Sequence, residues 1–229
     1  MKNTFESGQR HSNAGYQYEV ELESQLGNLQ NWKKPSPLIQ DILLAENLIP
    51  SLITAVSSSR EIKWLSSNGA AKTDLAITIS TQNGNVKKIC FSCKQSKAKR
   101  VSFHEHSADD FISVLKLNDK TAENLIRQHQ KDGNKENIRG RNREYLTEKL
   151  SNPVIKKILA EWVILGKHHL GTKQDDQIVD YVICNDRLKT FGQYESKLNK
   201  SKAGFGTGFD WTYASGSRGK KIQLKGPVL

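Results

Sequence analysis

Apolar residues recur along the chain with two spacings, one close to the 3.6-residue turn of a helix and one close to the two-residue alternation of a strand. Tyr16, Val20 and Leu22 lead towards Leu26 and predict a first helix that starts near Ser12 or Asn13. Pro35-Ser36-Pro37 interrupts the chain. Ser36 is placed to cap a second helix with Pro37 in its first position and Leu38, Ile39, Ile42 and Leu43 on its apolar face. Leu75-Ala76-Ile77-Thr78-Ile79 and Lys88-Ile89-Cys90-Phe91-Ser92-Cys93 read as two strands. Asn83-Gly84 lies between them, a dipeptide that tolerates the positive φ of a hairpin turn. Helical spacing resumes after Ser107 with Phe111, Val114 and Leu115, continues from Ala122 to Lys131, and returns from Val154 to Leu165 between Asn152-Pro153 and Gly166. Residues 178–184 form a buried-strand candidate. From Gly192 the chain is polar, glycine-rich and basic, which predicts loops and short strands. The pattern as a whole predicts helices flanking a central sheet, an α/β or α+β fold, with residues 1–229 forming one domain.

Charge narrows the function classes. Lys and Arg number 35 against 24 Asp and Glu, a formal net charge of +11. The excess favours a polyanionic partner over a neutral one, although a solvated basic surface has the same composition. No apolar run reaches the roughly 18 residues of a membrane span, and the N-terminal residues carry no apolar signal region. The three cysteines, Cys90, Cys93 and Cys184, make no disulfide framework, so a reducing cytoplasm is the expected compartment.

The hairpin carries the candidate chemistry. Asp74 precedes its first strand, while Ser92 and Lys94 end its second and share a face because they are two residues apart. The turn brings that end back beside Asp74. A carboxylate and a lysine that converge in this way suit phosphodiester hydrolysis: the carboxylate holds Mg²⁺, and the lysine orients or deprotonates water and offsets developing charge. An Asp and a Lys about twenty residues apart are common, so spacing alone also fits two ordinary surface residues. Two basic stretches add weight. Between Val86 and Ser102 there are six basic residues, Lys97 and Lys99 among them, and no acidic one. Residues 196–229 hold seven basic residues and a single acid, Asp210, with Trp211 and Tyr213 interleaved. Such segments can grip phosphates and follow a groove.

Motifs spread over most of the chain resemble a known family. They are Tyr18-Glu19, Val56-Ser57-Ser58-Ser59, Lys72-Thr73-Asp74, Val101-Ser102, Leu125-Ile126-Arg127-Gln128-His129-Gln130, and the long tail running from Gly204-Phe205-Gly206-Thr207-Gly208 through Trp211-Thr212-Tyr213-Ala214-Ser215-Gly216-Ser217 to Lys220-Lys221-Ile222-Gln223-Leu224-Lys225-Gly226. On these residues the chain resembles the MspI-like type II restriction endonucleases of the PD-(D/E)xK class, which cut CCGG, and the resemblance implies an α/β fold with a mixed central β-sheet flanked by α-helices. The resemblance implies that Asp74 is the metal-binding aspartate and Lys94 the catalytic lysine, that Glu19 lies near the active centre on the first helix, and that Ser92 stands where the wider class has an acid and this family a neutral Asn. It implies that Ser102, Thr212, Ser215, Gln223 and Lys225 read bases, with Lys97 and Lys99 as further DNA contacts and 196–229 as a basic DNA-reading segment. It also implies double-stranded DNA as substrate, Mg²⁺ as cofactor, CCGG as target with GCGC next, and a companion methyltransferase that protects host DNA, acting with a monomer or a dimer of this enzyme.

Other signals have simpler readings. Cys90 and Cys93 followed by His104 and His106 suggest zinc, but an odd spacing on a strand puts the two cysteines on opposite faces. Gly204, Gly206 and Gly208 neither follow a clear strand nor open a clear helix, so they make a poor nucleotide loop. A non-catalytic DNA- or RNA-binding module, or a repair nuclease on the same fold, would carry the same charge.

Overall fold

The computed structural model describes residues 4–62, 72–133, 137–168, 177–214 and 216–229, with side chains from Ala14 onward. Two compact units make up the chain.

One unit comprises Arg10–Gln95 and Gly171–Thr190. Its five-stranded sheet runs in the order β1 (Ile53–Ser59), β2 (Leu75–Thr81), β3 (Val86–Lys94), β5 (Tyr181–Cys184), β6 (Arg187–Lys189). The first three strands are antiparallel, β5 lies parallel to β3, and β6 folds back on β5. This is the mixed sheet that the family resemblance implied. Helix α1 (Thr4–Gly27) begins before the expected Ser12 or Asn13, because the polar residues ahead of that point carry no apolar stripe to read. Leu22 and Leu26 of α1, Trp32 of α2 (Leu29–Lys33), and Ile39 and Ile42 of α3 (Pro37–Ala45) are packed in one core with Ile77, Ile89, Phe91 and Ile183 of the sheet. Burying side chains of this size contributes about 1.5–3 kcal/mol each. Ser36 does stand at the N-cap of α3, but its hydroxyl makes no cap bond; it accepts from Gln25 Nε2 at 2.9 Å. The strand β1 was not legible in the pattern. It is an edge strand with Ile53 as its one fully buried residue, so its serines hide the alternation.

The other unit comprises Met1–Gln9, Ser96–Leu170 and Phe191–Leu229. Its three-stranded antiparallel sheet has β8 (Ile222–Pro227) between β4 (Arg100–His106) and β7 (Asp210–Thr212). Around it lie α4 (Ala108–Leu115), α5 (Lys120–Asp132), α6 (Gly140–Leu150), α7 (Pro153–Ala160) and α8 (Phe191–Asn199). Ser107 and Asp110 form a reciprocal capping box at the start of α4. The helix expected over Val154–Leu165 is α7 followed by a π-helical turn, Glu161–Leu165, which buries Trp162, Val163, Ile164 and Leu165 together before Gly166 ends it at φ 80°. Helix α6 was missed because only Leu146 and Leu150 on it are buried. Trp162, Phe111, Trp211 and Phe205 form a chain of ring contacts, and His129 is fully buried against Phe205, Trp211 and Tyr213.

The glycine cluster of the tail is structural. Gly208 has φ 85°, and a Cβ built on it would lie 2.5 Å from the Leu198 carbonyl oxygen. Both the backbone angle and the neighbouring main chain therefore demand glycine. Replacing Gly208 by Ala is expected to lower stability by about 1–3 kcal/mol and to cost more than Gly84→Ala, where φ is also positive at 80° but nothing lies within 4 Å. Equilibrium denaturation of the two variants measures this; equal losses would show that the Leu198 contact does not matter.

Candidate active site

Asp74 enters its site from the residue before β2. Its N–H donates to the Phe91 carbonyl at 2.8 Å, which extends the β2–β3 pairing by one residue and fixes the side chain opposite the end of β3. Three donors then converge on a single oxygen. Asp74 Oδ2 accepts from Ser92 Oγ at 3.0 Å, from the Cys93 N–H at 2.7 Å and from Lys94 Nζ at 3.0 Å. Lys94 Nζ also donates to the Cys93 carbonyl at 2.9 Å. The side chains of Ser92 and Lys94 reach the same atom, as their spacing on one strand predicts. Among the described residues nothing donates to Asp74 Oδ1.

The charges are tightly coupled. Burial favours neutral Asp74, but the Lys94 and Lys72 ammonium groups, with the Cys93 N–H, hold its pKa below the ordinary carboxylate value. Burial likewise opposes the charge on Lys94, and the Asp74 carboxylate outweighs it, so Lys94 stays protonated above its usual range. Glu19 on α1 behaves differently. Burial, and then the Asp74 charge, push it from 4.5 up to about 7, with Lys94 and Arg60 offsetting only part of that. Lys72 is pushed the other way, from 10.5 down to about 7, by burial and then by Lys94, while Asp74 opposes. Two carboxylates and two lysines therefore share one field. Lys72 was not singled out by the sequence, although its place two residues before Asp74 on an extended segment was the available signal.

This set fits a hard divalent cation. Asp74 Oδ1, to which no described residue donates, and the Glu19 carboxylate are both oxygen donors, and a cation would relieve the repulsion that adds to burial in raising Glu19. Among the described residues no group of three or more acidic, His or Cys side chains forms a cage. That suits Mg²⁺, which keeps several waters and takes one or two carboxylates together with substrate phosphate.

The remaining sequence candidates lie in the other unit. On β8, Ile222 and Leu224 are buried, and Gln223 and Lys225 alternate with them on the opposite face. Cross-strand pairing sets two rows on that face: Asp210–Lys225–Ser102 and Thr212–Gln223–Glu105. Ser102, Thr212, Gln223 and Lys225 thus come together on one sheet face. Thr212 Oγ1 donates to Gln223 Oε1 at 3.2 Å, and Asp210 is ion-paired with Arg100 at 3.0 Å. Lys97 and Lys99 are exposed on the segment leading into β4. Ser215 lies outside the described residues.

Comparison with known proteins matches residues 9–226 to the family model of the restriction endonuclease MspI. The chain belongs to the MspI restriction endonuclease family. It is 27% identical over 212 residues to the type II restriction enzyme MspI of a Moraxella species, covering 87% of this chain and 80% of that one. It is 32% identical over 194 residues to the type II restriction enzyme BsuFI of Bacillus subtilis, covering 76% of this chain but only 45% of the longer relative. A crystal structure of MspI in complex with its cognate DNA superposes with a TM-score of 0.77 at 26% identity, over 93% of this chain and 88% of that one. The protein is therefore a type II restriction endonuclease, a DNA-binding, site-specific deoxyribonuclease. No helix among the described residues is long and apolar enough to cross a membrane.

Within this family site, Glu19 gives a pH signature. Its pKa is higher in the folded protein than its ordinary 4.5, so its contribution to stability is whole below about 4.5 and is lost as pH rises through about 7. Glu19→Gln cannot lose that proton. In chelator, the variant is expected to gain thermal stability relative to wild type from pH 4.5 to about 7 and then to hold level. A difference that does not change with pH would show that Glu19 does not feel the Asp74 charge.

Proposed function

We propose that the protein hydrolyses phosphodiester bonds of double-stranded DNA at CCGG, with Mg²⁺ held by Asp74 and Glu19. The observation that carries this reading is the division of labour within Asp74: one oxygen takes three donors and the other is left for a ligand. Asp74 Oδ1 and Glu19 would hold the ion, which when bound supplies positive charge to the scissile phosphate and acidifies water. Ser92 and the Cys93 N–H fix the Asp74 carboxylate and so aim Oδ1. Lys94, protonated and within hydrogen-bond reach of Asp74, would orient the attacking water and neutralise charge that develops on the phosphate. Lys72, with its pKa lowered to about 7, adds positive charge to the same field when protonated. Ser102, Thr212, Ser215, Gln223 and Lys225 read the bases, with Lys97 and Lys99 on the backbone. Lysine to guanine O6 and N7 is an ordinary major-groove pairing. The similarity to an enzyme solved on its cognate DNA supports duplex DNA as the partner, and a companion methyltransferase would protect the host sequence.

The test is cleavage of a plasmid of known sequence in Mg²⁺ with both ends mapped. Cuts confined to CCGG are expected; cuts at GCGC would keep the chemistry and change the target, and random nicking would remove the specificity claim. Asp74→Asn and Lys94→Ala are each expected to lower the cleavage rate by about 10²–10⁴-fold or more while leaving duplex binding in Ca²⁺ within a few-fold of wild type. An active Asp74→Asn enzyme would refute the metal assignment.

A further inference from the structure

Glu105 is the residue on the polar face of the three-stranded sheet that neither charge nor packing explains. Its position is set by a bulge. The β4–β8 register shifts between Ser102 and His104, so Ser102 lies opposite Lys225 while Glu105 lies opposite Gln223. The rings of His104 and His106 contact the buried Trp162 at 4.9 and 4.8 Å, which turns both towards the core and Glu105 away from it. Glu105 therefore shares a face with Ser102, Thr212, Gln223 and Lys225. One of its carboxylate oxygens, Oε1, is shielded from solvent, and no described residue donates a hydrogen bond to it. The other acid on this face, Asp210, is engaged by Arg100.

A carboxylate on a surface that meets phosphates weakens binding, and a shielded oxygen without a donor adds a desolvation cost. Such a group makes sense where the ligand supplies the donor. In the major groove a C·G pair offers two acceptors, guanine N7 and O6, and a single donor, the cytosine N4 amino group. Lys225 is a donor. Thr212 Oγ1 lies 3.2 Å from both the Gln223 main-chain oxygen and Gln223 Oε1, and the Gln223 amide nitrogen is again a donor. Both suit guanine. Among the described residues of this face, Glu105 carries the shielded carboxylate oxygen that no residue engages. We infer that Glu105 is a specificity-determining residue that accepts a hydrogen bond from the N4 amino group of a cytosine in the target. A side-chain rotation that turns Oε1 outward is an ordinary adjustment on binding. The inference rests on the reading of this sheet face as the base-reading surface. It gives that surface an acceptor to match its donors, and so accounts for both strands of a G/C site.

The experiment is selection of bound duplexes from a library randomised over six base pairs, using the full-length protein in Ca²⁺, with wild type, Glu105→Gln and Glu105→Ala. Both variants are expected to lose preference for cytosine at one position of the selected motif by about 5- to 150-fold, while preference at the other positions and retention of an unrelated duplex are kept. Removing the amino group from that cytosine, by substituting a pyrimidin-2-one, is expected to weaken wild-type binding and to leave Glu105→Ala unchanged. Variants that keep the wild-type preference everywhere would overturn the inference, and so would variants that lose it evenly at all positions. A wild-type motif other than CCGG would overturn the proposed target alone, since Glu105 is then judged at the C·G pairs of that motif. A wild-type protein that selects nothing would overturn both.

Discussion

The site depends on one oxygen atom. Asp74 Oδ2 gathers a hydroxyl, a main-chain N–H and an ammonium from three consecutive residues of β3, and that arrangement is possible only because a strand presents its side chains and its backbone to a neighbour at the same time. The consequence is an aspartate that is charged, oriented and half used. Its second oxygen is aimed by the first. Lys94 is held in the charged state by the same contact, so a carboxylate and an ammonium are both kept ionised by a single interaction rather than by two.

That arrangement also explains why Ser92 can stand where related nucleases have a carboxylate. A third acid beside Asp74 and Glu19 would add to the repulsion that, together with the larger effect of burial, lifts Glu19 to about 7. Serine instead supplies a donor to Asp74, and Ser92 is completely buried beneath it. The cation then needs to satisfy two carboxylates, which is within the habit of Mg²⁺. Glu19 comes from a helix whose Leu22 and Leu26 lie in the hydrophobic core shared with the sheet, so the second carboxylate is carried on a packed element rather than on a loop.

Much of this was legible in the sequence. The Asn83-Gly84 turn and the alternation on either side of it placed Asp74 against Lys94, since a hairpin leaves little freedom once its turn is known. Spacing two apart put Ser92 and Lys94 on one face. What could not be read were features set by tertiary context. The edge strand β1 shows little alternation because Ile53 alone is fully buried. The polar ends of α1 and most of α6 give no stripe. Glu105 was invisible for a sharper reason: Ser102 and Glu105 are three residues apart and by simple alternation would face opposite sides, but the bulge between Ser102 and His104 reverses the parity and brings them together. The glycines of the tail have positive φ angles and pack closely, Gly204 on Phe209 and Trp211, Gly206 on Ser151 and Gly208 on Leu198. Ser102, Thr212, Gln223 and Lys225 were singled out through family likeness, and the sheet register then supplies what the likeness could not, the rows in which they stand.

The central claim is that the second oxygen of Asp74 is the seat of the catalytic cation. Anomalous scattering from Mn²⁺ in crystals of the protein bound to duplex DNA measures this directly. The account predicts a peak at direct-coordination distance, about 2.1 Å, from Asp74 Oδ1, with Glu19 on the same ion or one water away and Ser92 still on Oδ2. A peak that engages neither Asp74 nor Glu19, or one held by Ser92 in place of Asp74, would contradict it.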